Sequence, residues 1–114
     1  MSRTWKVWYI YLNTAYLCIM EIINNKKNFR FEAPLPDGEV ATLEYRWLKG
    51  SIVLMHTLVP LSGQGKGVGA ALVKYVLDYI RANGLKMIVY CPFVTKYLEK
   101  HPEYNDLLDD SKRG

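Results

Sequence analysis

Cysteine and histidine are scarce in this sequence, with two of each. Cys18 and Cys91 lie far apart and form no CxxC pair, so the chain shows neither a disulfide framework nor the ligand spacing of a metal site. His56 and His101 add no cluster of metal ligands. A reducing, cytoplasmic setting is the simpler expectation. Excess charge is also small, at +4 overall. Without Arg3 and Lys6, the count from Met20 onward is 13 basic against 11 acidic, a balance of +2. That balance makes no electrostatic case for nucleic acid as a partner, yet it leaves room for one anionic ligand at a local site. Long apolar runs are missing as well. Val7 to Met20 carries no charge but is only 14 residues long, against roughly 20 for a membrane-spanning helix, so no membrane association is expected. No linker or internal repeat divides the 114 residues, enough for one core and not for two.

What the sequence does have is apolar and aromatic mass. Half of its residues are hydrophobic, with nine tyrosines and three tryptophans, so it can bury a core. Residues 1–19 form an apolar extension. Arg3 and Lys6 imitate the basic region of a signal peptide, but Glu21-Ile22-Ile23-Asn24 follows and supplies no small-x-small cleavage pattern. Met20 offers an alternative translation start. If the extension belongs to the native protein, it is expected to form an additional strand or an apolar helix packed on the domain or on a second copy. The domain itself is expected over 20–108, with a polar, solvated tail over 109–114.

Asn24 to Asn28 reads as a turn or loop. Phe29, Phe31 and Ala33 alternate with Arg30 and Glu32, the period of a half-buried strand. Pro34 to Gly38 ends it with turn residues. A second strand is expected from Val40 to Leu48, with Ala41, Leu43, Tyr45 and Trp47 on one face. Lys49-Gly50 turns the chain into a third strand, Ser51 to Val59, making a hairpin. Pro60 stops that strand. From Val68, apolar residues at Leu72, Tyr75, Val76 and Tyr79 give helical spacing, which Asn83-Gly84 ends. Leu85 to Cys91 is a further strand. Pro92 opens a short helix that His101-Pro102 closes. The expected class is α+β, a mostly antiparallel sheet with one parallel strand–helix–strand crossover.

Gly65, Gly67 and Gly69 stand between that third strand and its helix. Glycines allow a tight turn and close backbone approach to a ligand. The first-turn amides of a helix have no internal acceptor and carry partial positive charge, which suits phosphate or pyrophosphate. Lys66 adds a full charge. The competing reading is a turn that only lets the helix pack on the sheet. A Walker loop requires Ser or Thr after Gly-Lys, whereas Lys66 is followed by Gly67. Gly65-x-Gly67-x-x-Ala70 matches the dinucleotide fingerprint, but the next strand ends in Tyr90-Cys91 instead of an acid for the ribose.

Gln64-x-x-Gly67-x-Gly69 resembles the acyl-CoA loop of the GNAT superfamily of N-acetyltransferases. Around it stand Glu44-Tyr45, His56-Thr57-x-Val59-Pro60, Cys91-Pro92-Phe93-Val94 and Tyr97-Leu98-x-x-His101-Pro102-Glu103-Tyr104. Together, in this order, they resemble a small single-domain branch, the YjdJ-like minimal N-acetyltransferases. The resemblance covers Ile22 to Leu108. It implies the minimal acyl-CoA N-acyltransferase fold, acetyl-CoA as cosubstrate and an amine as acceptor. By that resemblance Thr57, Leu58 and Val59 pair with the pantetheine arm, and Gln64, Gly65, Lys66, Gly67, Val68, Gly69 and Ala70 hold the pyrophosphate.

It also implies that His56 and Cys91 stand near the thioester, on facing strands. Acetyl transfer needs a base for the ammonium, stabilisation of the oxyanion and a proton for the departing thiolate. Histidine suits the first task because imidazole titrates near neutrality; the other reading is a half-buried structural side chain. Cys91 is open to three readings: nucleophile, acid and polar wall for direct transfer, or small buried filler. Tyr97 is either a general acid or a packing residue. The expected function is acetyl transfer within a ternary complex, with the acceptor undefined. The alternative is a module that binds or senses coenzyme A with little turnover.

Overall fold

The computed structural model describes residues 8–12, 15–19 and 22–109. Strands β1 (Trp8–Leu12) and β2 (Ala15–Ile19) pair antiparallel as a two-stranded sheet of their own. The apolar extension thus contains a hairpin instead of one strand or helix. The domain proper is a five-stranded sheet, β3 (Ile23–Asn25), β4 (Arg30–Pro34), β5 (Val40–Leu48), β6 (Ser51–Leu58) and β7 (Met87–Val89), in that spatial order. Helix α1 (Val68–Ala82) joins β6 to β7 and α2 (Pro92–Lys100) follows β7. All neighbours are antiparallel except β6 and β7, which run parallel as the crossover requires. Among the described residues, no helix is long and apolar enough to cross a membrane.

One face of the sheet is covered by the two helices. Phe31, Leu43, Tyr45, Ile52, Leu54 and Met87 meet Leu72, Val76, Ile80 and Val94 there in one cluster. Phe31 is its centre, fully buried, with its ring 5.2 Å from both Tyr45 and Tyr79 and 6.1 Å from Tyr75. The buried stripe of α1 also takes Val68, Val73 and Leu77. Tyr75 and Tyr79, expected inside it, lie at its margin, where their rings edge onto Phe31. Trp47 shares the inward parity of Tyr45 but is 47% exposed, because β5 runs on to its hairpin turn there; its ring packs only edge-on against Tyr45.

Three boundaries differ from the sequence reading. Asn24 and Asn25 belong to β3, since the Asn24 side chain accepts from the Tyr45 hydroxyl at 2.6 Å and donates to that of Tyr79 at 3.4 Å. The turn lies instead at Lys26 to Phe29, and Phe29 takes a left-handed φ of 56°. Strand β7 is shorter than Leu85 to Cys91. The fold also continues to Asp109, whose amide donates to the Met87 carbonyl at 2.8 Å and whose carboxylate accepts from Ser51; the rest of the expected tail lies outside the described residues.

A 3-10 segment, Pro102–Leu107, is clamped on α1 by charge-assisted bonds. The Tyr104 hydroxyl donates to Asp78 at 2.7 Å, and Arg81 forks onto the Asp106 carboxylate at 2.9 and 3.0 Å. Partial burial would raise Asp78, but hydrogen bonds from Lys74 and Tyr104 outweigh it and hold the carboxyl below its usual range.

Two outcomes follow from this packing. Phe31→Ala should cost about 3–5 kcal/mol in chemical denaturation, whereas Trp47→Ala should cost under about 1 kcal/mol. Because the folded-state pKa of Asp78 is lowered, its contribution is complete above the ordinary aspartate pKa and is lost as pH falls through the lowered value. At this half-exposed site the contribution is at most about 1 kcal/mol. Asp78→Asn should therefore lower Tm at neutral pH and flatten the acid limb of a Tm-against-pH series.

Candidate functional site

Parallel pairing between β6 and β7 is short. It covers Ile52↔Met87, Val53↔Ile88 and Leu54↔Val89, and closes with the Tyr90 amide donating to the Leu54 carbonyl at 2.9 Å. At that point β6 bulges. Glu44 of β5 faces His56 while Tyr45 faces Leu54, so Met55 is an extra residue on β6. A bulge bends its strand and increases local twist, turning β6 away from β7. Pro60 and Pro92 follow within a few residues, and neither can donate to a ladder. Past Leu54, β6 has only β5 as a partner among the described residues. A gap opens between the strand ends.

The bulge also reverses which side chains face the helices. Ile52 and Leu54 point into the core, and unbroken alternation would send His56 in and Thr57 out. The extra residue places Thr57 inward, opposite Leu43, and His56 outward, opposite Glu44. Thr57 Oγ1 consequently lies 3.3 Å from Cys91 Sγ across the inner side of the gap. Cys91 is 1% exposed and sits immediately before α2. His56 stands on the open face, its side chain 67% exposed, with Nε2 3.0 Å from Glu44 Oε1. The two residues expected together near one thioester therefore flank the gap from opposite faces of the sheet.

Beyond β6 the loop is built for close backbone approach. Gln64 Nε2 donates to the Val59 carbonyl at 2.9 Å, tying the loop to the strand end. Gly63 is buried, and a Cβ there would press on Leu35, Val59 and Val68 at 3.1–3.3 Å. Gly65 and Gly67 have φ of 77° and 80°, with open space where a side chain would project. Gly67 is the N-cap of α1 and provides no capping side chain, so the first-turn amides keep no such acceptor. This uncapped helix start beside exposed Lys66 fits a pyrophosphate in charge and in shape. Gly69 serves packing: a Cβ there would come within 2.6 Å of Phe93 Cζ.

Tyr97 is not beside Cys91. Its ring stacks on His101 at 4.2 Å in a groove of about 430 Å³ between α1 and α2, which Ala70, Phe93, Lys96 and Lys100 also line. Burial raises its phenol above the ordinary tyrosine range, so the hydroxyl keeps its proton at neutral pH. Two features of the site went unread in the sequence. Glu44 was legible as a strand residue and as part of the Glu44-Tyr45 motif, but its pairing with His56 was not, because that pairing depends on the bulge. Lys96 and Lys100 carried the signal of a basic i,i+4 pair on one helical face.

A family model described as GCN5-related N-acetyl-transferase matches residues 30–107. The human protein NATD1 is 35% identical over 87 residues, covering 75% of this chain and 77% of that protein. The chicken protein of the same name is 30% identical over 87 residues, covering 75% and 79%. A GCN5-like protein from Staphylococcus aureus, solved in solution by NMR, superposes with a TM-score of 0.59 at 32% identity, over 80% of this chain and 89% of that one.

The loop geometry carries its own test. Gly67→Ala forces a Cβ into the left-handed region and should cost about 1–2 kcal/mol of stability. Gly67→Asn should cost visibly less in the same denaturation experiment, since asparagine tolerates that conformation. Equal stability of all three proteins would show that the turn does not require its φ.

Proposed function

Since the chain belongs to the family of GCN5-related N-acetyltransferases, we propose that it transfers the acetyl group of acetyl-CoA to an amine, directly and within a ternary complex. The observation that carries this reading is the gap between β6 and β7, with Thr57 and Cys91 on its inner side and the glycine loop at its end. Bound acetyl-CoA supplies an activated acetyl thioester. The chain's own groups do the rest. Backbone of Thr57, Leu58 and Val59 offers an unpaired strand edge to the pantetheine arm. Amides from Gln64 to Ala70, with Lys66, face the pyrophosphate.

On the open face, Glu44 fixes the imidazole tautomer. With Nε2–H donated to the carboxylate, Nδ1 of His56 is the nitrogen that takes the proton of the attacking amine, and Glu44 then stabilises the imidazolium. Cys91, oriented by Thr57, presents its thiol as proton donor and polar wall on the other side. Tyr97 lines the groove farther along and acts in positioning. The exposure of His56 on an uncovered sheet face favours an amine carried by a peptide or protein over a small enclosed substrate.

Cys91→Ala and His56→Ala should each lower acetyl transfer about 10²-fold or more, while calorimetry shows coenzyme A affinity changed by less than about threefold. Glu44→Gln should lower kcat and move the pH–rate profile with KM for acetyl-CoA unchanged. The readout is mass spectrometry of a panel of amines, peptides and proteins. Binding of acetyl-CoA with no acetylated product anywhere in that panel would favour the binding module instead.

A further inference from the structure

Val53 and Ile88 are only 4% and 5% exposed, yet neither belongs to the core cluster between the sheet and the helices. Ile52, Leu54 and Met87 beside them in the chain do belong to it, so alternation turns Val53 and Ile88 to the opposite face. There they lie side by side, paired across β6 and β7. Arg46 faces Val53 from β5 but is itself exposed, with its guanidinium drawn to the Tyr45 carbonyl and the Phe29 ring. Farther along the same face burial ends: the His56 side chain is 67% exposed and Leu58 is 66% exposed. A bare sheet face would leave aliphatic side chains in contact with water. One end of this face is therefore covered by apolar surface that the core does not supply.

The hairpin β1–β2 has the matching surface. Its register puts Trp8, Ile10 and Leu12 on one face with Ala15, Leu17 and Ile19, and leaves Tyr9, Tyr11, Tyr16 and Cys18 on the other. A two-stranded sheet is marginal in water by itself and needs something to pack on. Its last residue, Ile19, comes shortly before Ile23, where β3 begins. Val53 lies three strands from β3, roughly 14 Å across the sheet. The five-residue strands of the hairpin, each roughly 17 Å long, can reach it. The chain's other end, 110–114, reads Asp-Ser-Lys-Arg-Gly and offers no apolar surface for the task. We propose that β1–β2 docks its Trp8–Ile10–Leu12 face on its own sheet, over Val53 and Ile88, as a cover that stops short of His56. On the acetyl-transfer reading above, this cover confines the amine acceptor to the Leu58 end of the face. The docking itself does not depend on that reading.

Alkylation of added thiols, located by mass spectrometry in the full chain, tests the docking without reference to activity. Val53→Cys should label slowly and Leu58→Cys quickly. Ile10→Asp/Leu17→Asp sets two carboxylates opposite one another on the docking face, and should speed labelling of Val53→Cys about tenfold or more. Tyr9→Lys, on the other face, should leave that labelling slow. Cys91, buried in the core, reports folding by staying unlabelled; where it becomes labelled, Ile10→Ser is the milder variant. Fast labelling of Val53→Cys in the otherwise unchanged chain, or slow labelling that the aspartates do not relieve, would overturn the docking. Protection that weakens on dilution would place the hairpin on a second copy and overturn its docking on its own sheet.

Discussion

Between Leu54 and His56, strand β6 carries one residue more than β5 opposite it, and the position of every group around the gap depends on that extra residue. Met55 bends the strand away from β7, so pairing stops at Leu54↔Val89. The same insertion flips the alternation, sending Thr57 to the helix side and His56 to the open side. Without it the imidazole would point into an apolar core and the threonine hydroxyl would point to solvent. Burial of an unpaired imidazole is unfavourable, so sequence and bulge support each other: His-Thr is stable in this order only if the strand skips one residue.

Two prolines keep the parallel pairing from being extended. Pro60 ends β6 and Pro92 begins α2, and each lacks the amide a continued ladder would need. Helix α2 starts at its proline with Cys91 as N-cap, which fixes the thiol at the mouth of the gap on the buried side. Helix α1 is held at the other side by the core from Val68 to Ile80. Past Leu54, β6 therefore keeps β5 as its strand partner on one side and has no β7 partner on the other among the described residues. The Thr57–Cys91 contact spans only the inner rim.

Much of this was legible in the residues. Strands β4 and β5 followed from two-residue alternation, and β6 from the apolar run after the Lys49-Gly50 turn. Pro60, Pro92 and Asn83-Gly84 set ends that the structure keeps to within a residue or two. The motif series pointed to the right family. Less visible were features decided by tertiary context. Asn24-Asn25 looks like a turn by composition, yet the Tyr45 hydroxyl gives Asn24 a partner and pulls the pair into an edge strand. The α1 stripe was centred too far toward Tyr75 and Tyr79, because tyrosine at a stripe margin reads the same as tyrosine within it. The bulge had no sequence signal, since Met55 is an ordinary strand residue. The expectation of His56 and Cys91 on facing strands carried no information about which face each side chain takes. The bulge decides that, turning His56 to the open face while Cys91 lies beside Thr57 of β6.

The glycines show why a domain this small joins packing and binding so tightly. Of the three in the loop, Gly65 and Gly67 are required by backbone conformation, and a side chain on either would project into open space. Gly69 has an ordinary helical conformation but no room: the Phe93 ring occupies the place its Cβ would take. That contact draws α2 against the start of α1 and thereby shapes the groove in which Ala70 and Tyr97 meet. Only about two-thirds of a chain this size's surface can be buried, so few residues are spared for a single purpose. A substitution at Gly69 would displace Phe93 first and any ligand second, whereas one at Gly67 would alter the turn with the helix contact intact. A change at either position has a different physical meaning: at Gly67 it reports the conformation of the turn, and at Gly69 it reports the separation of the helices. The glycine motif is thus two devices in one short segment, a conformational one for the turn and a steric one for the helix pair.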